Sequence, residues 1–227
     1  MAAKPLLTAE LLRTPNLSDL VAERIEGAIV SGALPTGDRI NEAVLAKELG
    51  VSRGPIREAT RLLAARGLVE LAPNRGAFVR WVDRDEMLEI YDLRAVLTGH
   101  ACALAARSAA PTSPLEALHD KMRDAATAEN RDAYYRHNLA FHEALTERAN
   151  SPRLTGILND LVRIAHLYRQ VSLARHPDMA ASNDEHHRIL EAIRARDEDA
   201  ARRHGEAHVR AGKARFDAVR EPAPPSI

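Results

Sequence analysis

The sequence predicts a mostly α-helical protein in two parts: an N-terminal winged helix-turn-helix and a C-terminal all-α bundle of six helices. Three observations carry this. Aromatic residues are only 4% of the 227 and alanine is abundant, which favours helices over sheets. Between residues 17 and 82 the signals run helix, helix, short turn, helix, hairpin. From Asp83 onward the apolar period is helical throughout, broken only by turn-forming stretches.

In "NLSDLVAERIEGAIVSG", Val21, Ile25, Ala28 and Ile29 make an apolar stripe, Ser18 or Asp19 can cap the start, and Gly32 suits the end. "ALPTGD" is a turn. "NEAVLAKELG" is a short helix with Asn41 as cap, Val44, Leu45 and Leu49 inward, and Gly50 at its end. The third helix follows at once, with Ser52 capping it through its hydroxyl and Pro55 in the first turn, where a missing N–H costs little. "LVEL" and "AFVRWV" are strand-like and "PNRG" joins them. Breaks at "SAAPTSP", "AENRD", "ANSP", "ARHPD" and "RARDED" leave helices near 84–108, 114–128, 131–149, 152–175, 180–196 and 198–218. Asp83 with Glu86, and Ser182 with Glu185, have capping-box spacing. The expected divisions are a mobile arm over 1–16, the winged unit over 17–82, the helical unit over 83–220 and a frayed, proline-rich tail over 221–227.

The formal net charge is +0, so attraction for nucleic acid has to be local. Cys102 is the single cysteine, which excludes an intrachain disulfide and fits a reducing cytoplasm. No apolar run approaches the roughly 18 residues of a membrane span.

The stretch "GVSRGPIREATRLL" places Arg53, Arg57 and Arg61 on one helix face and Ile56, Ala59 and Leu63 on another. A helix entering the major groove needs this arrangement: a packed inner face, and long donors near its N-terminus. Ser52 and Gly54 bring backbone N–H groups to the same end, where phosphate can bind. Arg75 at the hairpin tip can reach a minor groove or a phosphate, and Lys47 and Arg61 are weaker candidates. The plain alternative is a solvated arginine face.

The run from Leu17 to Val82, with its core "LAKELGVSRGPIREA…L…RGLV…PNRGAFV", closely resembles the DNA-binding domain of the GntR family of bacterial transcription regulators. The resemblance implies that Arg53 and Arg57 contact operator DNA and that Gly76 shapes the wing tip. Ala43 stands where some relatives carry a DNA-contacting arginine.

In the helical part, His186 is in phase with Ile189, Leu190 and Ile193, whereas His187 faces water. Asn138 and His142 are four apart beside Phe141 and Leu145, and His204 and His208 are four apart beside Ala201 and Ala211. Inward imidazoles on several helices suit a transition metal; a buried, hydrogen-bonded core histidine is the plain alternative for each. "YDLRAVLTGHACALAA", "NLAFHEAL" and "EHHRILEAIRARDEDAARRHGEAH" resemble the FCD ligand-binding domain of FadR-type regulators, and six helices suggest its VanR-like group. That resemblance implies a divalent metal, zinc first and nickel or manganese as alternatives, on Asn138, His142, His186 and His208. Asn138 stands where Asp is common and brings no charge, and His204 is a reserve without motif support.

Arg94 shares an apolar stripe with Ile90, Tyr91, Leu97 and Ala101. It can pair with an acid such as Glu143 or Asp160, or clamp a ligand carboxylate, a role the family often gives an arginine here. Thr98 and Gly99 occupy the place of the family's usual acidic residue. The expected function is a homodimeric, DNA-binding regulator, by family analogy a repressor, controlled by a small carboxylate effector. The competing expectation is a metal-dependent hydrolase or lyase with an accessory DNA-binding head. Against it, the chain has no HExxH helix, no nucleophile elbow and no paired acids at catalytic spacing.

Overall fold

The computed structural model describes residues 16–172 and 176–218, so the expected arm (apart from Asn16) and tail lie outside the described residues. The described chain divides between Trp81 and Val82 into two units.

The first unit contains α1 (Leu17–Val30), β1 (Arg39–Ile40), α2 (Glu42–Leu49), α3 (Arg53–Ala65), β2 (Val69–Ala72) and β3 (Gly76–Val79). Val21, Ile25 and Ile29 of α1 and Ile56, Ala59 and Leu63 of α3 are buried, and the two helices pack on each other. The strands form an antiparallel sheet of order β1-β3-β2, with Val69 opposite Val79 and Ile40 opposite Ala77. β1 is an addition to the expected hairpin, and at two residues it is too short to leave a period in the sequence. The third strand stops at Val79 instead of running through Val82.

Three local expectations change. Asn16 caps α1, in a reciprocal box with Asp19, so the cap lies two residues before Ser18. Ser52 occupies the N-cap of α3 with extended backbone, but its hydroxyl makes no capping hydrogen bond. Val44 and Leu49 are exposed, because so short a helix buries only its Ala46 side. Asn41 does cap α2, accepting from the N–H groups of Ala43 and Val44, and Gly50 closes it at φ 65°.

The second unit comprises α4 (Arg84–Arg107), α5 (Ser113–Thr127), α6 (Arg131–Ala149), α7 (Pro152–Ser172), α8 (His176–Arg194) and α9 (Glu198–Asp217). Asp83 caps α4, its carboxylate accepting from Glu86 N–H at 2.8 Å. Arg148 of α6 ties the α4–α5 turn, donating to the carbonyls of Ala105, Ser108, Ala110 and Pro111. Tyr134, Phe141, Leu145, Ile189 and Ile193 are fully buried in the largest core cluster. α4 lies along α9. Their crossing depends on glycine: a Cβ on Gly205 would stand 2.6 Å from Cys102 Sγ and 3.2 Å from Gly99 Cα. Burial pushes the Cys102 thiol up to about 12, so it is an inert packing group there.

Ser182 and Glu185 do not start α8. The helix begins at His176, which puts both residues inside it, where they serve the site described next.

Candidate functional site

The start of α3 gathers the first set of predicted residues. Ser52, Arg53, Gly54 and Arg57 are all exposed, while Ile56 and Ala59 of the same helix are fully buried. Four N–H groups at a helix start have no partner within the helix, and the Ser52 hydroxyl does not cap them. Arg57 donates from Nε to Glu42 Oε2 of α2 at 2.8 Å and stays 61% exposed. Arg61 pairs with Glu58 one turn back. At the wing, Asn74 (φ 61°) and Gly76 (φ 103°) turn the hairpin, and the Arg75 guanidinium lies 5.8 Å from the Phe78 ring. Arg39 is an unforeseen neighbour. Its guanidinium lies against Gly76, and a Cβ there would meet Arg39 Nε at 3.4 Å. The strand that presents Arg39 was itself not expected.

The second unit holds a histidine triad. His142 of α6, His186 of α8 and His208 of α9 each direct one ring nitrogen into a group whose atoms lie within 4.8 Å of one another. His186 is fully buried and His208 nearly so. The two Nε2 atoms of His142 and His186 stand 3.2 Å apart. Two ligands of a tetrahedral zinc with Zn–N near 2.05 Å are separated by about 3.3 Å, so this spacing fits one ion.

Hydrogen bonds at the far side of the rings also fit a metal. His186 Nδ1 lies 2.6 Å from the Ser182 carbonyl, and His208 Nδ1 lies 2.7 Å from Glu185 Oε2. A carbonyl or carboxylate only accepts, so either ring, when neutral, carries its proton on Nδ1 and offers an Nε2 lone pair inward. Neutral imidazole presented in this way is the metal-binding form. Glu185 is in turn gripped by Arg215, at 2.8 Å to Oε1 and 3.0 Å to Oε2. Burial alone would raise the Glu185 carboxyl, but its hydrogen bonds with His208 and Arg215, and the Arg215 charge, hold it below its usual range.

Asn138 is fully buried one helical turn before His142, and Tyr134 is fully buried one turn earlier still, so α6 carries a polar column on its inner face. His204 is half-buried and outside the triad, and His187 is exposed, as phase suggested. Arg94 is buried, with its guanidinium carbon 5.3 Å from the Tyr91 ring. Of the acids considered for it, Asp160 pairs with Arg163 and Glu143 is exposed. Gly99 meets Gly205, and a Cβ on Gly212 would lie 3.5 Å from Tyr91, so Arg94 of α4 and His208 of α9 lie at about the same height along the two helices.

Comparison with known proteins agrees with this division. The FCD domain family matches residues 89–211, and the bacterial regulatory proteins of the gntR family match residues 17–79. The chain is 30% identical over 189 residues to the uncharacterized HTH-type transcriptional regulator YdhC of Bacillus subtilis (strain 168), covering 82% of this chain and 84% of that one. It is 27% identical over 186 residues to the gluconate operon transcriptional repressor of Bacillus licheniformis, covering 79% and 76%. Among solved structures, E. coli McbR/YncC shares the fold at a TM-score of 0.80 and 24% identity, over 90% of this chain and 98% of that one. A GntR transcriptional regulator from Rhodococcus sp. RHA1 aligns at 0.76 and 26% identity, over 89% and 99%.

Proposed function

The chain belongs to the gntR family of bacterial regulatory proteins, with an FCD domain following its DNA-binding domain, and from that membership we propose a metal-dependent, acid-sensing repressor. Its relatives and both domains are those of transcriptional regulators and not of enzymes, so the hydrolase or lyase reading falls away. Repression is the mode we propose, on the analogy of the B. licheniformis repressor.

Operator DNA is bound by the N-terminal end of α3, through Ser52, Arg53, Gly54 and Arg57, and by the wing at Arg75 and Gly76. The exposed, uncapped helix start supports phosphate binding, and the two arginines are spaced to reach base edges.

The observation that carries the sensing half is the convergence of His142, His186 and His208, with the Nδ1 atoms of two of the rings on a carbonyl and a carboxylate. Asn138, on the same face of α6, is the fourth ligand we propose; its amide oxygen coordinates without adding charge. A divalent cation held there, zinc first, would supply a positive centre that an anionic ligand could join as a fifth donor. Three neutral imidazoles and an amide bring no negative charge to the ion, and Arg94 is the arginine we propose for the ligand carboxylate. A small organic acid is the ligand class that fits.

A homodimer is the assembly we propose. Leu93 and Val96 of α4 and Ile157 of α7 are more than half exposed. α4 and α7 pack together through Leu97, Ala101, Leu154 and Leu158, and helical phase puts the three exposed side chains on one side of that seam. A second copy covers this face and gives the two reading heads that a two-fold operator needs.

The test is calorimetry on the zinc-loaded protein with small dicarboxylates and hydroxy acids against their amides, followed by DNA retardation on the region upstream of its own gene. The acids are expected to bind and to change DNA affinity. Equal binding of acids and amides contradicts the sensing reading, and no DNA shift at low salt contradicts the operator reading.

A further inference from the structure

His186 has its Nδ1 proton held by a backbone carbonyl that the helix itself fixes in place. His208 has no such carbonyl; its acceptor is a side chain from another helix, Glu185 of α8. Glu185 could rotate away, and Arg215 prevents that. Its two nitrogens meet the two carboxylate oxygens in a fork, which fixes the plane of the carboxylate as well as its position. Oε2 then receives both Arg215 Nη2 and His208 Nδ1. The three groups are all well buried, with side-chain exposures of 16% for Glu185, 15% for Arg215 and 7% for His208. His208 and Arg215 are seven residues apart, two turns along one face of α9, so a single carboxylate can reach both.

We infer that Glu185, locked by Arg215, is a positioning residue that fixes His208 as its Nδ1-protonated tautomer and so turns the Nε2 lone pair toward His142 and His186. This rests on the metal reading above. The carboxylate also does electrostatic work. Hydrogen-bonded to Nδ1–H, it makes the His208 ring a stronger donor through Nε2, at a centre where Asn138 contributes no charge. Arg215 supplies the counter-charge to this buried carboxylate through its two-pronged contact.

A plain α8–α9 staple would affect stability alone, so the test reads the ring. 15N-histidine spectra of the full-length, metal-free protein, with His208 assigned by its loss in His208→Asn, report the tautomer; competition with a chromophoric chelator reports zinc affinity. Two variants are used. Glu185→Gln keeps an oxygen for Nδ1–H. The double variant Glu185→Leu with Arg215→Met removes both charges together, which avoids stranding a buried cation. Wild type is expected to show the Nδ1–H form of His208. The double variant is expected to show a mixture of tautomers and zinc binding about 10- to 100-fold weaker, with Glu185→Gln between the two. Wild type that binds zinc, with a double variant that matches it within about twofold and keeps the same tautomer, overturns the inference. Wild type that binds no zinc, while His208 still changes tautomer in the double variant, overturns the metal reading and supports the positioning role.

Discussion

Arg57 of α3 and Glu42 of α2 are joined by a 2.8 Å ion pair across the two helices of the helix-turn-helix. The contact holds Arg57 by Nε and leaves its terminal nitrogens facing out of the domain. An exposed pair of this kind contributes little to stability, about 0–1 kcal/mol; its effect is to orient the arginine. Arg57→Ala is therefore expected to unfold at nearly the wild-type temperature while losing about 1–3 kcal/mol of DNA affinity. Fluorescence anisotropy on a labelled upstream fragment measures the loss, and unchanged affinity would remove Arg57 from the interface.

The α4–α9 crossing should be intolerant of a single methyl group. At Gly205 the new Cβ meets the fully buried Cys102, which has nowhere to move. Gly205→Ala is expected to cost about 1–3 kcal/mol, the usual range for overpacking. Gly99→Ala meets the Arg202 backbone carbonyl at 2.9 Å and should behave similarly. Urea denaturation measures both; wild-type midpoints would mean that the two helices can part freely.

His119 gives the second unit a pH dependence separate from the triad. Burial lowers its pKa, and this outweighs its hydrogen bond to the Asn183 carbonyl and the nearby Asp120; His187 and Arg123 lower it further. The unfolded chain therefore binds the proton more readily. The associated stability is complete above the unfolded value of about 6.5 and is lost as pH falls through the lower folded value. His119→Gln should flatten the urea midpoint between about pH 7.5 and 5 relative to wild type. Parallel curves for the two proteins would contradict this.

Arg84 links the end of α9 to the start of α4, donating to the Asp217 carboxylate at 2.6 Å and to its backbone carbonyl at 2.9 Å. α9 also carries His208, so Arg84 is a contact through which a shift of α9 at the triad would reach the first turn of α4. Arg84→Ala is expected to bind zinc as wild type does but to show a smaller change in DNA affinity on adding the acid ligand. Anisotropy with and without ligand measures the coupling. Undiminished coupling would exclude this route.

The helices were legible because their apolar residues repeat with the helical period, and so was the inward direction of His186. What escaped was short or depended on distant partners. β1 has two residues and owes its existence to β3, with Arg39 opposite Phe78. Ser18 and Ser52 looked like caps by residue type alone, but cap geometry depends on the backbone, and α1 uses Asn16. Glu185 was the most informative miss. In sequence it reads as the capping-box partner of Ser182, because His208 and Arg215 are 23 and 30 residues away on another helix. The available signal was His208 and Arg215 at a seven-residue spacing, two turns of the same face, which called for an acid opposite them.

The central claim is that His142, His186 and His208 hold one divalent metal. Its most direct test is the metal content of the full-length protein, purified without an affinity tag, beside His186→Ala. The account predicts one metal per wild-type chain, zinc first, and its loss in the variant while the helical content is kept. Wild-type protein that holds no metal after incubation with zinc, nickel or manganese would contradict it.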